Sequence, residues 1–122
     1  MDTEHFEALV MQVVNNLPEE FRSRLDNVEV GVDDYPSPAQ LRRSKLKSGQ
    51  TLLGLYEGVP HTRRTSGYNM VLPDRITIFQ KNIEANCRNE PEITRAIESV
   101  VKHEIAHHFG ISDERLRELG RY

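Results

Sequence analysis

Phe6, Leu9, Val10, Val13, Val14 and Leu17 recur at three- and four-residue spacing, the period of a helix with one buried face. Pro18 interrupts that helix, and Phe21 with Leu25 point to a further turn or two after it. Val28, Val30 and Val32 alternate with Glu29 and Gly31, the two-residue repeat of a half-buried strand, which the turn residues Asp33 to Pro38 stop. Residues from about Ala39 to Gln50 are polar and weakly patterned, with room for one short helical turn. Thr51 to Glu57 reads as a second strand, ended by Gly58-Val59-Pro60, and Arg75 to Phe79 as a third; a polar loop from His61 to Pro73 joins them. Ile83 to Cys87 has the pattern of a short helix.

The last long helix opens at Asn89. Asn89 in the N-cap position with Glu92 three residues on resembles a capping box, and Pro91 sits in the first turn, where its missing donor is not needed. Projected at about 100° per residue from His103, Ala96, His107, Val100, Ile93, Glu104 and Ile97 fall within one arc of roughly 120°. His103, His107 and Glu104 are thus predicted to extend a buried apolar stripe, while Arg95, Glu98, Ser99 and Lys102 fall on an arc that should be wet. Three titratable groups on a core side are costly unless something satisfies them. A bound metal would do so; a hydrogen-bonded internal His/Glu pair is the plainer alternative.

That helix carries His103-Glu104-Ile105-Ala106-His107-His108-Phe109-Gly110-Ile111-Ser112-Asp113, with the order H-E-x-x-H-x-x-G-x-x-D. Histidines four apart stack one turn above the other and can close on one ion, and the intervening carboxylate, Glu104, is placed to deprotonate metal-activated water. Gly110 permits a left-handed turn that ends the helix, after which Asp113 can fold back as a third ligand, leaving one position open as in catalytic zinc sites. With 5 His in 122 residues, a shuffled chain shows the five-residue core about 2% of the time, and the extended pattern on the order of once in ten thousand. Asp113 has a second reading, as an acidic residue in the first turn of the segment Asp113 to Leu119. His108 points toward the apolar side but diverges from His107 by about 100°, which favours a hydrogen-bonded structural role.

Composition narrows the picture. A chain of 122 residues fits one domain, 1–122, with a modest core and an active site that must be an open groove. A net charge of −3 argues against a general electrostatic hold on nucleic acid. Arg42-Arg43-Ser44-Lys45-Leu46-Lys47 and Arg63-Arg64 are basic runs without interleaved aromatics, which read as solvated loops. Cys87 is the only cysteine, so it forms no disulfide within the chain and reads as a small packed residue. The N-terminus is acidic where a signal peptide is basic, and no apolar run approaches the ~20 residues of a membrane span. The expectation is a cytoplasmic monomer with neither membrane nor nucleic acid as partner.

The run His103 to Asp113, with Gly54-Leu55-Tyr56-Glu57-Gly58 and Leu72-Pro73-Asp74-Arg75-Ile76-Thr77-Ile78 upstream, resembles the short bacterial zincin-like metallopeptidases, or minimal zincins. The resemblance implies a compact α+β fold in which a small mixed sheet packs against an N-terminal helix and a C-terminal active-site helix. It also implies Zn2+ held by His103, His107 and Asp113, and Glu104 as general base acting on a peptide or protein substrate. Larger metzincins place a third histidine where Asp113 stands and add a methionine-containing turn, which this chain lacks. Electrophilic help could come from Tyr56, His61, Tyr68 or Arg63, and the strand at Leu52 to Glu57 is a candidate edge for an extended substrate. The competing function is a non-catalytic metal-binding or protein-interaction module on the same scaffold.

Overall fold

The computed structural model describes residues 1–44, 51–58 and 73–110. Helix α1 (Thr3–Asn15) is capped by Asp2, whose carboxylate accepts the His5 N–H at 2.7 Å. It is followed by the short α2 (Glu19–Arg22) and a 3-10 turn at Ser23–Leu25. Strand β1 (Val28–Asp33), helix α3 (Pro38–Ser44), strands β2 (Gly54–Glu57) and β3 (Asp74–Phe79), and helices α4 (Gln80–Ala85) and α5 (Glu90–Phe109) complete the described order. The fold class is mixed α+β, as expected.

The three strands lie in the order β1-β3-β2, with β1 parallel and β2 antiparallel to β3. The register sets Val30, Ile76 and Tyr56 in one row and Val32, Ile78 and Gly54 in the next. Partners across a ladder share a face. That face meets α5 and α1: Ile76 and Ile78 join Phe6, Leu9, Val10, Val13, Leu17, Phe21, Ile93, Ile97, Val101 and Ile105 in one buried cluster. Each fully buried aliphatic side chain of this set contributes about 1.5–3 kcal/mol relative to exposure. The opposite face carries the row Glu29, Arg75 and Glu57. There Arg75 pairs with Glu29 at 2.9 Å, and Glu57 accepts from Gln40 at 2.9 Å and from Arg43 on α3. Arg43, read from sequence as part of a solvated basic run, is thus bound to the sheet; Lys45, Lys47, Arg63 and Arg64 lie outside the described residues.

Several local expectations shift. Strand β2 begins at Gly54 rather than Thr51, although Leu53 still accepts from the Phe79 N–H at 3.0 Å. Helix α4 starts directly after β3 and ends at Ala85, so it begins before and stops short of the segment 83–87 expected from sequence while overlapping it at 83–85; buried Gln80 and Ile83 fix its inner side. At the start of α5, Asn89 caps the Glu92 N–H at 3.0 Å, but the Glu92 carboxylate takes the N–H of Arg88 at 2.9 Å, one residue outside the box. Along α5 the buried residues are Ile93, Ile97, Val101, Lys102, Ile105 and Ala106. The buried face is therefore rotated away from the motif, because Val101 and Ile105, packed in the core beneath α1 and the sheet, weigh more than Ala96 and Val100. Lys102, expected in water, is 1% exposed; its ammonium pairs with Glu98 at 2.8 Å and lies 5.8 Å from the Phe21 ring centre. The long stem explains the burial, since it covers apolar surface while the charge meets a carboxylate at the rim.

Candidate metal centre and active site

Twenty residues of unbroken helix deliver the motif to one end of α5, and Gly110 stops the helix in the left-handed region at φ 72°, as its position predicts. The Gly110 N–H closes on the Ala106 carbonyl. Along the last turns, His103 and Glu104 are half-buried and His107 and His108 exposed. The motif thus follows the margin of the buried face, where one side of each group touches protein and the other faces solvent.

His103 Nδ1 lies 2.8 Å from the Ser99 carbonyl oxygen. A carbonyl only accepts, so Nδ1 is the donor and Nε2 carries the lone pair, the tautomer in which imidazole ligates a metal through Nε2. The His103 and His107 ring centres are 6.1 Å apart. Among the described residues, no group of three or more His, Cys, Asp or Glu side chains is arranged to hold a metal ion. The described part thus brings together two of the three expected ligands, and Asp113 lies outside it.

Glu104 Oε1 accepts the backbone N–H of Tyr56 at 2.8 Å. Burial pushes its carboxyl above the ordinary carboxylate value, against the opposing pull of the Tyr56 N–H and of His107 and His103. A carboxylate made more basic in this way is a better proton acceptor near neutrality. This contact joins residues 48 apart in sequence.

Tyr56 was one of four candidates for electrophilic help. Its hydroxyl donates to Asp74 Oδ2 at 2.8 Å, so its single O–H is already committed. Burial first, and then Asp74, push the phenol far above its ordinary value, which keeps that proton in place. His61, Arg63 and Tyr68 lie outside the described residues. His108 stacks on the Tyr56 ring with centres 3.8 Å apart and planes 15° apart. The sequence points to a hydrogen-bonded histidine leaning to the apolar side; His108 is instead exposed and meets Tyr56 through its ring. Phe109 meets both rings edge-on, and the Arg24 guanidinium lies 5.3 Å from the Phe109 ring centre. In sequence Tyr56 stands as a candidate electrophile and Asp74 only within the run Leu72 to Ile78, and neither the hold of Tyr56 on the helix nor its bond to Asp74 has a local signal.

Among the described residues strand β2 is the outer strand of the sheet, the place proposed for an extended substrate, but the Tyr56 N–H there is occupied by Glu104. No helix among the described residues is long and apolar enough to cross a membrane. Compared with known families, residues 25–121 match the model of a family described as zincin-like metallopeptidase. Comparison with curated proteins returns no match.

Proposed function

The chain belongs to the zincin-like metallopeptidase family, and from that premise we propose that it is a zinc-dependent peptidase with Glu104 as general base. His103, His107 and Asp113 would hold the ion. The donor set of two imidazoles and one carboxylate suits zinc, and the Nδ1 bond of His103 to Ser99 supports the fit by presenting Nε2. When bound, zinc supplies Lewis acidity that polarises the scissile carbonyl and makes water a nucleophile near neutral pH.

The protein's own contribution is proton transfer and placement. Glu104 accepts a proton from the attacking water and passes it to the amide nitrogen as the C–N bond breaks, so one carboxylate serves as base and then acid. Its Oε1 is fixed on the Tyr56 N–H, which leaves Oε2 to move the proton. The half-buried setting raises basicity without removing access to water. An open margin on a small body suits an extended, unfolded segment better than a folded protein.

The observation that carries this reading is the coincidence, on one helix end, of an Nε2-presenting histidine, a second histidine one turn on, and a buried-side carboxylate with raised basicity. The test is hydrolysis of an unstructured protein by zinc-loaded enzyme, with Glu104→Gln as control. Zinc-dependent cleavage lost in Glu104→Gln is expected. Stoichiometric zinc without turnover would instead favour the non-catalytic module.

A further inference from the structure

Strand β2 and helix α5 run side by side with matched spacing. A strand advances about 6.6 Å over two residues and a helix about 6 Å over four. Accordingly Gly54 meets Val100, the Tyr56 N–H meets Glu104, and the Tyr56 ring meets His108, at successive turns of α5. Tyr56 is therefore gripped twice by the same helix, once through its backbone and once through its ring. A third hold comes from across the sheet, where its hydroxyl reaches Asp74 at the start of β3 at 2.8 Å.

We propose that Tyr56 is a positioning residue for Glu104, with its hydroxyl bond to Asp74 and its stack on His108 fixing the backbone N–H that orients the carboxylate. The proposal rests on the reading of Glu104 as the base. A carboxylate with two equivalent oxygens has no intrinsic preference for which one meets the reacting proton. Committing Oε1 to a backbone donor removes the choice. A backbone N–H does so only if the strand residue that carries it stays still, and among the described residues β2 is a four-residue strand paired with β3 alone. Edge strands with a single partner are prone to fray. The phenol ties the outer strand to the central one, and the ring stack ties it to the helix, so the N–H is held against motion in both directions. Because the phenol stays protonated well beyond neutrality, the tether does not switch off over the working range of a hydrolase.

The experiment compares Tyr56→Phe, which removes only the hydroxyl, with Asp74→Asn, which keeps an oxygen acceptor at the same place, and with Glu104→Ala. The first readout is amide hydrogen exchange by NMR on zinc-free protein. Position 56 should exchange on the order of tenfold faster in Glu104→Ala and in Tyr56→Phe, while Ile76 and Ile78 amides on β3 stay protected. The second is kinetics on the zinc-loaded enzyme: Tyr56→Phe should lower kcat on the order of tenfold with KM and zinc affinity unchanged. Asp74→Asn should retain most of the parent's kcat. Unchanged exchange at position 56 in both Glu104→Ala and Tyr56→Phe would overturn the proposal, as would a uniform rise in exchange across the sheet, which marks general destabilisation. If the parent shows no hydrolysis, the peptidase reading fails while the exchange arm still decides whether Tyr56 holds Glu104.

Discussion

Gly54→Ala tests how closely β2 must approach the active-site helix. A Cβ added at Gly54 would stand 2.4 Å from Val100 Cγ1 and 3.3 Å from the Thr77 carbonyl oxygen. Ordinary contact needs roughly 1 Å more on the Val100 side. Val100 cannot easily turn aside, because a β-branched side chain in a helix has one strongly preferred rotamer. The strain must move strand or helix, an overpacking that costs about 1–3 kcal/mol. For a domain of this size, 1 kcal/mol corresponds to a Tm change of about 4 °C, so the loss should be about 4–12 °C in thermal melts of metal-free protein. The partner change discriminates cause from coincidence. In Gly54→Ala/Val100→Ala the collision is absent, so the double variant should be at least about 1 kcal/mol more stable than additivity of the two single variants predicts. A Gly54→Ala protein as stable as the parent, or strictly additive effects, would show that the close approach is not what glycine serves here.

His103→Ala and His107→Ala should each weaken zinc binding by roughly a hundredfold or more, and His108→Ala by far less, since His108 stacks on Tyr56; equal losses in isothermal titration would reject the ligand assignment. Asp113→Ala should lower zinc affinity as a ligand change does, and full retention would make Asp113 a helix cap. Metal-free Glu104→Gln should be more stable than the parent at pH 7. The folded-state carboxyl is raised above 4.5 by burial, so its contribution is fully present below the unfolded value and lost as pH rises through the folded one. The advantage of Gln should accordingly shrink toward pH 4, and chemical denaturation at both pH values checks it; a constant gap would mean that ionisation of Glu104 is not its source.

Much of the fold is legible in hydrophobic spacing because its elements bury one face each. The α1 period, the alternation of β1 and the aliphatic run of β3 all correspond to buried or half-buried positions. What spacing could not rank was which apolar residues of α5 face the densest packing. Ala96 and Val100 stand on the motif side and Val101 and Ile105 on the other, and both sets fit a helical stripe. Only the placement of α1 and the sheet decides for the second, turning His107 outward and Lys102 inward. Lys102 shows the limit of charge as an exposure signal, since a long stem with Glu98 one turn away can bury its methylenes at modest cost.

The histidine pair proposed as ligands was readable because two ligands for one ion on a single helix need a spacing of one turn, four residues. Glu104, the proposed base, was readable as the neighbour of the first histidine. Its orientation was not, since the groups that set it are 48 residues away on a strand. Yet the two upstream segments noted in sequence contain Gly54, Tyr56 and Asp74, the residues that bring the strand against the helix and tether it there. A sequence shows a local geometric constraint as a fixed interval. It shows a long-range one only as unusual residues at places where nothing local requires them: a glycine opening a strand, a tyrosine two residues on, an aspartate opening the next strand. Such residues are intelligible only once the partner helix is in place, and here all three serve one task, holding a backbone donor still beside a carboxylate.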